Sequence, residues 1–184
     1  MKKDKFSLKF ILELTLALFL TYLVARYVAS KTTVDGVSMY PTLLNGETVV
    51  IDKFAYKIGD PERFDIVVFE EETSDTGYYI KRVIGLPGES VTIDRRGNIY
   101  INGMVLRDRF GYGVIADPGM AAGTVEVGQG EYFVLGDNRN NSIDSRFIDV
   151  GNVPIGKILG KVNLRLSPIE KFGYIDLYTE RQGS

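Results

Sequence analysis

The sequence predicts a mainly β protein: an N-terminal transmembrane helix followed by a body of antiparallel strands. Three observations predict it. Residues 10–28 are apolar except for Glu13, Thr15, Thr21 and Arg26, close to the roughly 20 residues that cross a bilayer core. After Lys31 the pattern changes to short apolar runs separated by turn formers. Eleven Tyr and ten Phe, without Trp, suit pleated, half-buried surfaces.

Residues 1–9 carry Lys2, Lys3, Lys5 and Lys9 against one acid, Asp4. Lysine excess ahead of a span places the N-terminus in the cytoplasm and residues 29–184 outside. Glu13 and Arg26 each lie about one turn inside an interface. Arg26 can snorkel outward, while Glu13 is costlier there, though less so than at the bilayer centre. Val28-Ala29-Ser30 is a passable cleavage site for a signal peptide. The apolar run, however, exceeds the usual core of about 7–15 residues and contains Glu13, so an uncleaved single-pass anchor is expected.

In the body, Glu47–Asp52 and Asp65–Glu70 read as strands. Tyr78–Ile84 is another, stopped by Gly85-Leu86-Pro87-Gly88. Val91–Ile93 and Ile99–Ile101 form a hairpin around residues 94–98, and Asn102-Gly103 is a tight-turn signal before Met104–Leu106. Residues 107–130 are glycine-rich and read as a looped excursion. Glu131–Leu135 and Lys157–Leu166 resume strand character. One short helix is expected after Ser38. Residues 167–184 are polar and are expected to end on the surface.

Net charge is −2 over 184 residues, so no basic field points to nucleic acid. The chain has no Cys and no His. That excludes disulfides, a Ser-His-Asp triad, a Cys-His pair and a His/Cys zinc site. A serine nucleophile with a lysine base remains available.

Ser38 precedes Met39-Tyr40-Pro41, and the proline biases Tyr40 away from the α region. By itself Ser38 reads as an ordinary loop serine or an ST-turn, because loop serines are common. Lys81 shares a strand face with Tyr79 and Val83, and Arg82 shares the other with Ile80 and Ile84. Burial would lower the lysine pKa, as a general base requires. A snorkelling lysine on a strand edge is the competing explanation. Residues 136–146, GDNRNNSIDSR, read as a charged turn. Within it Ser142 can orient a base, while Asp144 and Arg146 can form a local ion pair. A calcium loop does not fit, because Arg139 occupies a ligand position and Ser142 replaces the required glycine. Gly151–Lys157 mimics a phosphate loop but lacks the Ser or Thr that holds magnesium. No metal and no cofactor are expected.

Four segments together resemble the bacterial type I signal peptidases, the serine–lysine leader peptidases. They are Ser38-Met39-Tyr40-Pro41-Thr42-Leu43, residues 64–69 (FDIVVF), residues 79–89 (YIKRVIGLPGE) and residues 136–146. One anchor and a compact body resemble the short Gram-positive type. The resemblance implies cleavage of signal peptides from exported preproteins on the outer face of the cytoplasmic membrane, by a chain acting as a monomer. Ser38 would attack the scissile carbonyl and neutral Lys81 would take its proton. Ser142 would hold Lys81, and Asp144 and Arg146 would brace the loop. The Ser38 backbone amide would donate to the oxyanion. Some relatives place a serine two residues earlier as a second donor; this chain has Gly36, leaving its own N–H, a water or nothing.

The short link from Val28 reaches at most roughly 33 Å, which ties Ser38 to the surface of the membrane lipid. Phe54, Tyr56 and Phe64 are candidates for an interfacial aromatic rim or for the core. A self-cleaving repressor-type peptidase is excluded by the span and by the lack of room for a DNA-binding domain. The alternative from another class is a membrane-tethered β-domain that binds partners without catalysis. The distance between Ser38 Oγ and Lys81 Nζ discriminates the two.

Overall fold

The computed structural model describes residues 7–27, 29–72, 74 and 76–175. The lysine-rich residues 1–6, Val28 of the expected span and the polar residues 176–184 lie outside the described residues. Helix α1 runs over Ser7–Tyr27. Between Lys9 and Tyr22 its apolar side chains, among them Ile11, Leu12, Leu14, Leu18 and Phe19, are exposed, and their spacing covers the whole circumference rather than one stripe. Lys9 sits 3.7 Å from Glu13 one turn later. Among the described residues no helix is long and apolar enough to cross a membrane. The part of α1 with described side chains, Lys9 to Tyr22, covers only about 21 Å against a hydrocarbon core of about 30 Å.

The body begins at once after the helix. Strand β1 (Ala29–Thr33) pairs antiparallel with β2 (Thr48–Asp52). Small and polar, β1 carries no apolar alternation, which is why the sequence reading passes over it. A short helix α2 (Ala55–Ile58) follows β2. The helix expected just after Ser38 is absent. Turns occupy 38–42, with one helix-like bond from Leu43 N–H to Met39 O at 2.9 Å.

Next come β3 (Ile66–Glu70), β4 (Tyr78–Gly85), β5 (Ser90–Ile93), β6 (Ile99–Ile101) and β7 (Met104–Val105). The β6–β7 turn has Asn102 at φ 51° and Gly103 at φ 76°, the left-handed pair that a tight hairpin demands. The excursion 107–130 is more than a loop. It holds a 3-10 turn at Gly119–Ala122 and a strand β8 (Val125–Glu126) that pairs with β5. Ile115, Ala121 and Val127 lie in the core beneath it, so buried apolar side chains draw this glycine-rich segment inward. The chain closes with β9 (Glu131–Leu135), β10 (Val153–Pro154), β11 (Ile158–Ser167) and β12 (Gly173–Tyr174).

The strands form two antiparallel sheets. The larger runs β1-β2-β11-β3-β4-β9-β10, with β12 also paired to β11; the smaller runs β7-β6-β5-β8. One core cluster packs Val34, Met39 and Leu43 onto Ile51, Ile66 and Val162 of the large sheet. A second joins Ile84, Phe133 and Leu135 to the small sheet. Because Val34, Met39 and Leu43 bracket residue 38, burial fixes the backbone on both sides of that serine. Strand β4 pairs with β3 from Tyr78 to Arg82 and with β9 at Arg82, Val83 and Gly85.

Gly85 ends β4 where the chain passes from one sheet to the other. A Cβ there would lie 2.7 Å from Val91 Cγ2 and 2.9 Å from Phe133 Cβ. Gly85→Ala is expected to cost about 1–3 kcal/mol through overpacking. Urea unfolding monitored by tyrosine fluorescence measures it.

Candidate active site

Ser38 lies on the turn after β1, half-buried. The loop 136–146 holds it from the other side. Asn138 N–H donates to Ser38 O at 2.9 Å, and Asn138 Nδ2 to Val37 O at 3.1 Å. Lys81 on β4 is 2 % exposed, so it does not snorkel. Its Nζ donates to Ser38 Oγ at 2.9 Å and to Ile80 O at 3.2 Å. The Tyr79 ring, on the strand face the alternation predicts, has its centroid 4.6 Å from Nζ. Burial lowers the Lys81 pKa to about 8, against the opposing pull of the Asp144 and Asp137 carboxylates. A large part of the lysine is therefore neutral near pH 8 and able to accept the hydroxyl proton.

Arg82, the adjacent cation, faces the other way and is fully buried. Its guanidinium grips Asp137 with both arms, Nε to Oδ1 at 2.8 Å and Nη2 to Oδ2 at 2.6 Å. Nη1 donates to Phe64 O at 2.8 Å, and the Phe110 ring centroid lies 3.8 Å from Cζ. Thr42 Oγ1 donates to Asp137 Oδ2, which ties the segment following Ser38 into the same network. Nothing in the sequence alone marks Arg82, Asp137, Asn138 and Thr42 for this role. A buried arginine demands a carboxylate, but primary structure does not say which of 24 acids supplies it.

Asp144 and Arg146 form the expected ion pair, with Nε to Oδ1 at 2.8 Å and Nη2 to Oδ2 at 2.9 Å. Asp144 also accepts Gly136 N–H at 3.0 Å, and Arg146 reaches Arg139 O at 2.6 Å and Asp117 O at 3.0 Å. The pair thus staples its own loop to the excursion. Ser142 lines the same cleft as Ser38 and Lys81. Its Oγ is buried, without a hydrogen-bond partner among the described residues, so no bond to Lys81 is formed here. Gly36 sits at φ 97°, and its N–H donates to Asn45 Oδ1 at 2.9 Å. That amide is engaged rather than offered beside Ser38. Of the proposed aromatic rim, Phe54 is exposed, Tyr56 donates to Asp65 Oδ2 at 2.9 Å, and Phe64 packs against the core.

Ser38 and Lys81 open onto a cleft of about 690 Å³. Val34, Met39, Val68, Ile80 and Leu159 contribute apolar lining, and Lys31 and Lys53 are also on its walls. The described residues contain no cluster of acids that could hold a metal ion. The arrangement provides an apolar groove, a hydroxyl and a buried amine in contact, which suits acyl transfer.

Asp144 holds the Lys81 pKa up, so removing its charge should lower it. In a 15N NMR titration, wild-type Lys81 Nζ is expected to titrate near pH 8, and Asp144→Asn at a lower pH. An unchanged or raised midpoint in a folded variant would contradict this electrostatic account.

Residues 7–167 match the family described as signal peptidase, peptidase S26. The chain is 37% identical over 171 residues to a probable signal peptidase I-2 of Synechocystis, covering 90% of this chain and 76% of that one. It is 33% identical over 189 residues to signal peptidase IB of Staphylococcus aureus, covering 95% of each. A crystal structure of a signal peptidase I from Enterococcus faecalis aligns at 33% identity with a TM-score of 0.43, over 56% of this chain and 97% of that one. The chain belongs to the signal peptidase family, peptidase S26, and is a peptidase of that family.

Proposed function

We propose that this chain is a membrane-anchored serine endopeptidase that cleaves signal peptides from exported preproteins with a Ser38–Lys81 dyad. The contact of 2.9 Å between Ser38 Oγ and the buried Lys81 Nζ carries this reading. It lies within the reach required of a nucleophile and its base, and so favours the enzyme over an inert tethered domain.

Neutral Lys81 removes the Ser38 hydroxyl proton as Oγ adds to the scissile carbonyl. The Ser38 backbone amide donates to the oxyanion. The lysinium then gives its proton to the departing amine. Neutral Lys81 next deprotonates the water that attacks the acyl-enzyme, and returns that proton to Ser38 Oγ as the new carboxyl product leaves. Ser142 is assigned to orient Lys81. Support comes from its place on the same cleft and its buried hydroxyl without another partner among the described residues. Asp144 and Arg146 brace the loop. A second oxyanion donor from Gly36 would require its N–H to leave Asn45. Nucleophile and base come from one chain, so a monomer suffices, and no step calls on a metal or cofactor.

The anchor is assigned to residues 10–28, with the N-terminus in the cytoplasm and the body outside. The exposed apolar side chains around α1 support this, as does the Lys9–Glu13 pair that softens the one acid in the run. Strand β1 starts at Ala29, so the nucleophile is held near the membrane surface, where signal peptides emerge.

Ser38→Ala and Lys81→Ala are each expected to lower kcat by about a thousandfold or more on a preprotein substrate. The wild-type kcat/KM should rise with pH through about 8, because the protonated lysine is inactive and is lost as pH climbs through its pKa. A profile flat from pH 6 to 10, with chemistry rate-limiting, would overturn lysine as the base. For topology, protease added to intact spheroplasts should digest the body. Protection until lysis would reverse the orientation.

A further inference from the structure

Ser38 borders a second surface outside the cleft. The cleft lining includes Val37, Ser38 and Met39 but neither Tyr40 nor Tyr112. These two tyrosines are 39 % and 47 % exposed. Their rings meet edge-on, with centroids 5.0 Å apart and planes at 85°. Both are fixed from below. Tyr112 N–H donates to Asp137 O at 2.7 Å, and Tyr40 N–H donates to Val37 O at 3.1 Å. The ionised groups beneath, Arg82, Asp137 and Arg139, are buried and paired with one another or with Asp108. They neutralise each other and leave the shelf apolar in character.

We propose that Tyr40 and Tyr112 form a subsite for the second residue after the scissile bond, selecting a bulky apolar or aromatic side chain over glycine or aspartate. The proposal rests on the peptidase reading above. In an extended substrate, side chains alternate between faces. The proposed pose turns the side chain of the residue whose carbonyl Ser38 attacks toward Met39, which lines the cleft. The second residue beyond the bond therefore faces the protein again, about 7 Å further along. Tyr40, two positions past Ser38, begins the shelf where the cleft ends. The proposed pose lays the acyl segment along residues 30–36, which line the cleft, and sends the leaving segment out of the cleft over the tyrosines. Two rings locked edge-on offer apolar area with little conformational freedom left to lose.

The test uses the full chain in detergent and peptides identical except for Phe, Leu, Gly or Asp at that position. Wild type is expected to prefer Phe and Leu over Gly and Asp by about fivefold or more in kcat/KM, mostly through KM. Tyr112→Ala should bring the Phe-to-Gly ratio close to one, and Tyr112→Phe should keep it. Equal wild-type rates on all four peptides overturn the proposal, and so does an unchanged ratio in Tyr112→Ala. If Tyr112→Ala does not fold, the wild-type series decides alone. Cleavage of the Gly peptide as fast as the Phe peptide removes the subsite and leaves the peptidase reading standing. Cleavage of no peptide removes both.

Discussion

The two-armed contact between Arg82 and Asp137 is the interaction on which the rest of the site depends. Both side chains are 0% exposed, so each charge has given up its hydration and relies on the other. Removing one partner of such a pair typically costs about 3–5 kcal/mol, because the survivor is left uncompensated in the interior. Here the pair also has a positional consequence. It clamps the loop 136–146 onto β4 one residue from Lys81, and through Thr42 it captures the segment that follows Ser38. Ser38 and Lys81 come from parts of the chain far apart in sequence. This pair sets their separation.

Neighbouring cations on one strand meet opposite fates because their chemistry differs. A guanidinium does not deprotonate in a protein, so a buried arginine must be paired. An ammonium can shed its charge, so a lysine can be buried without a direct carboxylate partner and become a base instead. Among the described residues the polar partners of Lys81 Nζ are a hydroxyl and a carbonyl. Asp144 and Asp137 act on it only through space. The strand alternation separates the two environments with no spacer residue.

The main strands were legible because their apolar residues alternate and Gly, Pro or Asn punctuates them; β2, β3, β4 and β9 fall within a residue or two of expectation. The Ser38–Lys81 pair was legible because the chain offers no imidazole or thiol to compete. What escaped depends on tertiary contact. Strand β1 exists through backbone pairing with β2 and has no side-chain signature. The turn at 38–42 replaces a helix because burial of Met39 and Leu43 and the bonds to Asn138 determine its course. The engagement of Gly36 by Asn45 and the choice of Asp137 for Arg82 join residues that only the fold brings together.

The segment from β6 to β8 divides into two parts with different freedom. From Asp108 to Met120 it is bound at Arg139, Asp137, Asn140 and Arg146, and a Cβ on Gly119 would collide with the Arg146 carbonyl. At the β6–β7 tip, Met104 and Val105 are exposed and nothing lies within 4 Å of a Cβ built on Gly103, although its φ of 76° keeps glycine favoured at that one position. Added residues at the exposed hairpin tip therefore lie away from the loop 136–146, while a single inserted residue a few positions later would pull that loop out of register. The tip is accordingly the place on the small sheet where a fluorophore or an affinity handle can be carried at little cost to the chemistry.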